Sequence, residues 1–481
     1  MSDVETGTIT TKVPARLDRL PWTRWHWMIV IGLGTVWILD GLEVTIVGNL
    51  SAQLAKPGSG LDITQAQVAG VAAALYVGGA CTGALFFGWL TDRFGRKKLF
   101  ILTLVVYLVA TLMTAFSFSA WWFFLFRFLT GFGIGGEYAA INSAIDELIP
   151  SRHRGRIDII INGSYWLGAA GGALLTVPLL NDLPVNIGWR VAFGLGVVLG
   201  LAILLVRRNV PESPRWLFIH GRDREAEQIV QDVEREIGPE KLREPEYEIT
   251  IHQRRSIGFI RIAHTLVALY PKRTVLGLSL FIGQAFLYNA ITFGYAQILS
   301  TFFQIDTHTG YYFAVIAVGN FLGPLLLGHL FDSVGRVPMI SACYIGSGLL
   351  LLGTAWLFDQ GALTAVTLTA CWSVVLFVAS AGASSAYLTV SEIFPMETRA
   401  MAIAFFFAIG TAAGGISGPL VFASMVETGV ARDTAIAFTI GAVVMIAAGL
   451  VEVFLGVKAE RKSLESIAAP LSTARQDPQT P

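Results

Sequence analysis

The chain has 481 residues, 54% of them hydrophobic and only 14% charged. Soluble domains carry about 25% charged residues, so the composition excludes an ordinary soluble protein and points to the membrane. Its 34 basic and 34 acidic residues cancel to a formal net charge of zero, which argues against a nucleic-acid partner.

Residues 1–24 are polar, carry Lys12, Arg16, Arg19 and Arg24, and read as a disordered cytoplasmic tail. The apolar run that begins near Trp25 has no small-residue cleavage site, so no removable signal peptide is expected. A helix needs about 20 apolar residues to span a bilayer. Runs of that kind predict spans over 26–48, 67–91, 99–117, 121–148, 158–180 and 188–207. A polar stretch then divides the chain. Six more spans follow at 273–301, 309–331, 338–358, 362–391, 399–425 and 433–457. The expectation is an all-α integral membrane protein of twelve helices. Its parts are a six-helix bundle over 25–208, a cytoplasmic linker over 209–271, a second bundle over 272–457, and a disordered tail over 458–481. Cys81, Cys343 and Cys371 lie in apolar runs and read as small buried hydrophobes, not as a disulfide or metal framework.

Two short patterns recur. Gly88-Trp89-Leu90-Thr91-Asp92-Arg93-Phe94-Gly95-Arg96 returns as Gly328-His329-Leu330-Phe331-Asp332-Ser333-Val334-Gly335-Arg336, a shared G-x-L-x-D-x-x-G-R. Glu147-Leu148-Ile149-Pro150 with Arg154 returns as Glu392-Ile393-Phe394-Pro395 with Arg399, a shared E-x-x-P-x-x-x-R. The offsets are nearly equal, so the chain reads as two related halves. Charged hairpins this short belong at a membrane surface. Basic residues cluster in the loops on the side of both termini, which predicts that side to be cytoplasmic. There Asp92, Arg96, Glu147, Arg154, Asp332, Arg336, Glu392 and Arg399 stand at matching height. Bidentate Arg–carboxylate pairs are expected to bridge the halves and latch them; the plainer alternative is that these charges are only topological anchors.

Within the linker, Ile229, Val230, Val233 and Ile237 fall at helical spacing, which predicts an amphipathic helix over 224–237. Residues 259–269 suggest a second. Both would lie along the cytoplasmic face, with a plain tether as the alternative.

The two G-x-L-x-D-x-x-G-R hairpins match the signature of the major facilitator superfamily, and over about residues 20–460 the chain resembles its members. Pro211-Glu212-Ser213-Pro214-Arg215-Trp216-Leu217, with Gly221-Arg222 and Glu225-Ala226, is similar to the sugar-porter signature after the sixth helix. Val337-Pro338 departs from the usual basic pair of the second hairpin. Asp40-Gly41-Leu42-Glu43 resembles the acidic first-helix motif of aromatic-acid/proton symporters, and Gly133-Ile134-Gly135-Gly136-Glu137-Tyr138 resembles the fourth helix of metabolite, phosphate and organic-ion carriers. The resemblance implies two pseudo-symmetric six-helix bundles that expose a midplane site alternately to each side.

Asp40, Glu43, Arg127 and Glu137 stand inside apolar spans, where each charge costs on the order of 2.5–3.5 kcal/mol unless paired. Glu43 and Arg127 lie roughly 7–9 Å from the outer ends of their spans, at matched height. Either Glu43 or Asp40, one turn deeper, is expected to pair with Arg127 when ionised and release it when protonated. A permanent ion pair is the alternative. In the sugar-porter resemblance an acid and an Arg at the Glu43 and Arg127 positions form this proton switch. Glu137 has no partner visible in the sequence.

Gln284 and Asn289 sit five apart in the seventh span, with Tyr288 and Tyr295 nearby. The sugar-porter pattern has a Gln and an Asn at that spacing as sugar ligands, with a second Gln where this chain has Ala285. Asn162 falls where the family has a polar ligand, followed by Tyr165 and Trp166, and Tyr387 where it often has an aromatic platform. Interhelical hydrogen bonds and plain aromatic packing are the alternatives. The glycine-rich run 131–136 follows no strand, so it reads as close helix packing and not as a nucleotide loop.

The expectation is therefore a plasma-membrane, multi-pass, monomeric carrier with both termini cytoplasmic. It would take up a small organic solute, an organic acid or metabolite or a sugar, together with protons, without metal or cofactor. It would not be an enzyme. An uncoupled carrier, a proton-driven exporter and a nutrient sensor on the same fold are the alternatives.

Overall fold

The computed structural model describes residues 5–468 apart from 65–66, 208–210, 239, 241, 243, 246, 255–263, 306–307 and 396–397. In chain order the elements are β1 (Glu5–Thr11), α1 (Val13–Asp18), α2 (Arg24–Leu54), α3 (Ala73–Phe94), α4 (Arg96–Ala115), α5 (Ala120–Leu148), α6 (Arg154–Gly163), α7 (Tyr165–Asn181), α8 (Val185–Arg207), α9 (Pro214–Ile219), α10 (Asp223–Ile237) and β2 (Ile249–Arg254). The second half contributes α11 (Pro271–Phe303), α12 (Thr309–Leu327), α13 (Leu330–Ser333), α14 (Arg336–Asp359), α15 (Ala365–Ile393), α16 (Arg399–Glu427), α17 (Ala431–Leu455) and α18 (Leu464–Ile467).

Ten of these helices are long and apolar enough to cross a membrane. The charge-bearing α5 and the α6–α7 pair, interrupted at Ser164, complete the expected twelve. Large apolar side chains remain exposed around the bundle, among them Phe454, Val366, Phe116, Phe118 and Leu420, as a lipid-facing surface requires. In the first half α5 packs on α3 and α4, and α2 on α7 and α8. In the second, α11 packs on α16, α14 on α17 and α12 on α15. The halves meet along α3–α16 and α7–α12.

The repeated hairpins turn on glycine. Gly95 and Gly335 adopt φ of +95° and +118°, a region that costs a side-chain-bearing residue but not glycine. This lets α3 reverse into α4 across one residue and α13 into α14 across two.

Two expectations need correction. Residues 1–24 are not a disordered tail throughout: β1 pairs antiparallel with β2 of the linker, and α1 packs with α9 and α10. Val13, Leu17 and Leu20 share an apolar core with Trp216, Leu217, Phe218, Ala226, Val230, Val233 and Ile237. Arg16 pairs with Glu227 and Glu234, and Arg19 with Glu234. Among the described residues the regular structure is thus helical but for this two-stranded sheet. The tail after residue 458 is also partly ordered: α18 buries Leu464, while 469–481 lie outside the described residues. The predicted linker helix appears as α10. Of the second, residues 259–263 lie outside the described residues and Thr265–Leu269 forms a single π-helical turn.

Candidate functional site

Between the halves lies a cavity of about 160 Å³. All six residues expected to bind solute line it: Asn162, Tyr165, Gln284, Tyr288, Asn289 and Tyr387. Asn162 Nδ2 donates to Asn142 Oδ1 at 2.9 Å and to the Asp158 carbonyl, while its Oδ1 lacks a partner among the described residues. Tyr288 spends its hydroxyl on Asn320 Oδ1 at 3.1 Å, so it offers the cavity a ring face. Asn289 donates back to the Ala285 carbonyl at 2.8 Å, which leaves its Oδ1 as the group to accept from a solute.

An aromatic floor was not visible in the sequence. Trp37 stacks on Tyr138 with ring centroids 4.5 Å apart and planes 9° apart. Tyr138 meets Phe407 edge-on at 4.7 Å, and Trp37 meets Tyr387 at 5.9 Å. These rings come from both halves and close the cavity toward the end of the bundle that carries α1, α9, α10 and α18, hereafter the charged face. Trp37, Tyr138, Tyr387 and Phe407 are buried, whereas Val44, Tyr76 and Thr292, farther from that face, are half-buried. On a third side Trp166 packs against Tyr288 at 5.2 Å. Glycine sets the wall: a Cβ on Gly41 would lie 1.8 Å from the Tyr165 carbonyl, and one on Gly168 1.7 Å from that of Ile38. α2 and α7 therefore touch backbone to backbone beside the site.

Behind this wall Arg127 donates to Glu43 Oε1 at 2.9 Å, both side chains at most 2% exposed. Thr111 donates to both Glu43 oxygens at 3.1 Å, and Thr114 and Thr130 accept from Arg127 at 3.3 and 3.0 Å. The guanidinium also lies 4.8 Å from the Phe193 ring centroid. Of the two acids in Asp40-Gly41-Leu42-Glu43, Glu43 is thus the one that holds Arg127. Asp40 is fully buried one turn away and interacts electrostatically with Tyr76, Tyr138 and Tyr165, which line the cavity. Glu137 is fully buried next to Tyr138 on α5.

At the charged face seven of the eight latch candidates are described; the side chain of Asp92 lies outside the described residues. The expected bidentate bridge between the halves is corrected. The bidentate pair, Arg336–Glu392 at 2.9 and 3.0 Å, lies within the second half, because α14 begins where its neighbour α15 ends. Arg336 also holds Asp332 at 2.9 Å, and Arg96 holds Glu147 at 2.7 Å within the first half. Across the seam the contacts are longer: Arg399–Glu147 at 3.6 Å and Arg154–Glu392 at 3.8 Å. A third link is short, from the Arg156 amide to Asp332 Oδ2 at 2.8 Å. Each of the described carboxylates Glu147, Asp332 and Glu392 is held inside its own bundle and also contacts a group of the other.

The linker braces this face. Ser213 caps α9 by accepting from the Trp216 amide, with Pro214 in the first turn, as N-terminal helix chemistry favours. Glu212 accepts from the Arg96 and Lys97 amides at 2.9 and 3.3 Å, at the positive end of α4. Burial pushes its carboxyl up, against the opposing pull of Arg96 and those amides. Arg215 reaches Asp18 at 3.2 Å and Glu465 at 3.4 Å, and Tyr247 donates to the same two carboxylates. Both terminal segments are thereby pinned to the linker.

Residues 24–470 match the sequence profile described as sugar (and other) transporter. The chain belongs to this family. Members of the sugar-porter group of the major facilitator superfamily are membrane transporters and not enzymes, and this transporter is a multi-pass membrane protein. It is 27% identical over 455 residues to the niacin transporter NiaP of Acinetobacter baylyi, covering 94% of this chain and 99% of that one. It is 26% identical over 417 residues to the 4-hydroxybenzoate transporter PcaK of the same organism, covering 85% and 87%. In structure it matches the proton:xylose symporter XylE bound to 6-bromo-6-deoxy-D-glucose, with a TM-score of 0.74 and 18% identity over 92% of this transporter and 98% of that chain. A second XylE structure, from E. coli in a partially occluded inward-open conformation, matches at 0.66. At such identity the likeness concerns the fold.

Proposed function

We propose that this transporter is a proton-coupled symporter of the bacterial inner membrane that takes up a small, single-ring polar metabolite. One observation carries the reading: a sealed Glu43–Arg127 pair stands one helix turn from Asp40, beside an aromatic-floored cavity bounded by both halves. An ionised Glu43 holds the guanidinium. A proton on Glu43 removes that hold, so proton occupancy biases how the first bundle sits against the second. The charged face is cytoplasmic on this reading, in keeping with its basic loops, and the conformation is closed to the cytoplasm. Asn162, Gln284 and Asn289 orient the solute's polar groups, and the rings take its faces.

The volume narrows the solute. A dry cavity of about 150 Å³ holds benzene, so 160 Å³ suits one ring with small substituents. The stacked floor and the Ala285 in place of a second amide favour a planar ring acid over a hexose. The named cargo of two full-length relatives, niacin and 4-hydroxybenzoate, supports the same direction.

The deciding experiment is uptake into proteoliposomes, acid outside, with labelled nicotinate, 4-hydroxybenzoate, xylose and glucose. A ring acid should accumulate above its external concentration and leak back when a protonophore is added. Equal uptake with and without the gradient would instead identify an uncoupled carrier. Concentration of a sugar alone would overturn the assignment of solute class.

A further inference from the structure

The symport reading leaves one buried acid unused. Glu452 lies in α17, near its charged-face end, and is 0% exposed. Neither of its carboxyl oxygens has a hydrogen-bond partner among the described residues.

The surroundings are built for close approach. Gly449, Glu452 and Gly456 follow each other at intervals of three and four and so share one face. A Cβ on Gly449 would lie 3.0 Å from Tyr344 Cβ and 3.1 Å from the Ile345 amide nitrogen. One on Gly456 would lie 2.6 Å from Glu452 Oε1 and 2.8 Å from Val337 Cγ2. Two missing side chains thus let α14 close over the carboxyl and keep bulk water from it.

No cation among the described residues compensates it. α14 presents Tyr344, whose hydroxyl donates to the Leu280 carbonyl. Its Arg336 turns to Glu392 and Asp332. On α11, Arg273 reaches the carbonyls of Ile393 and Ile467. On α16, Arg399 reaches the Ser391 carbonyl and Glu147. Beyond the helix end, Glu460 lies beside Gly335. A dry, unpaired carboxylate is far costlier than a neutral carboxyl, so such a group takes up a proton instead.

We propose that Glu452 is a second proton-carrying site, in the half opposite Glu43. It holds a proton while the charged face is shut. It gives that proton to water, leaving a carboxylate, when α14 and α17 part at that face. The mechanical link is short. Val337, which walls the site, follows Arg336, which clasps Glu392, so movement of the clasp moves the wall. The proposal rests on the alternating-access reading above but not on proton coupling of the solute.

The test is infrared difference spectroscopy on purified full-length protein, comparing the wild type, Glu452→Gln, Glu392→Gln and the double variant. Glu392→Gln removes the clasp and biases the charged face open, checked in sealed vesicles by a membrane-impermeant thiol reagent applied from the charged-face side to a cysteine placed at Ser384, which lines the cavity. The carbonyl band of a protonated carboxyl should be present in the wild type and lost in Glu452→Gln. It should weaken on opening by Glu392→Gln, and this weakening should vanish in the double variant. Glu452→Leu serves the same purpose if the Gln variant does not fold. A band unchanged by Glu452→Gln, or one that survives confirmed opening undiminished, overturns the proposal. Failure of the symport reading would appear separately, as solute uptake indifferent to the proton gradient.

Discussion

The substitution Glu43→Gln tests the central claim. Both members of the Glu43–Arg127 pair are buried to within 2%, and removing one partner of such a pair costs about 3–5 kcal/mol. Thr114, Thr130 and the face of Phe193 still surround the guanidinium, and the new amide keeps one acceptor oxygen. The lower end, about 3 kcal/mol, therefore applies, equivalent to about a hundredfold shift between held and released states at about 1.4 kcal/mol per decade. The amide mimics a permanently protonated Glu43. In proteoliposomes, solute–solute exchange should survive, because exchange needs no change in proton occupancy, whereas accumulation driven by an imposed acid gradient should fall to the no-gradient level. A variant that still concentrates solute as the wild type does would remove Glu43 from the coupling and reduce the ion pair to a structural feature.

Three further outcomes are expected. Gly168→Ala places a methyl 1.7 Å from the Ile38 carbonyl and should destabilise the protein by at least the ~1–3 kcal/mol of ordinary overpacking, seen as a lower Tm in detergent; an unchanged Tm would contradict the backbone contact. Glu392→Gln loosens Arg336 and Arg154 together and should raise thiol labelling at the charged face, whereas labelling at the wild-type rate would mean that the clasp does not hold that face shut. His153 is held below its usual range by burial and by Arg152 and Arg156, with Asp332 pulling the other way. A lowered folded-state value means that the unfolded chain binds the proton first, so stability is lost as pH falls below about 6.5. His153→Gln should flatten that part of the Tm profile, and an identical slope in the variant would assign the acid sensitivity elsewhere.

Much of the fold was legible because hydrophobic runs and repeated hairpins report on chain segments independently of their neighbours. The positions of Asn162, Gln284 and Asn289 were legible for a related reason: an amide on an apolar helix contrasts with everything around it. The floor of Trp37, Tyr138 and Phe407 was not, because in helices apolar on every side no periodicity separates a ring that faces the cavity from one that faces lipid. The folded N-terminal segment was hidden for another reason. Its β1 partner lies in the linker, more than two hundred residues away, and seven residues alone bury too little to announce a strand. The bidentate geometry expected across the seam lies within one bundle instead, since matching height says nothing about which neighbour is nearer. Arg336 and Glu392 adjoin within one bundle; Arg154 and Glu392 do not.

The break at Ser164 sets Gly163 against the Pro324 ring of α12, so close that a Cβ there would lie 2.4 Å from it. On the proposed alternating-access reading, this rigid ring resting on bare backbone is the fulcrum: the bundles would roll over it like a see-saw, and the opening at one end and the closing at the other would be a single motion.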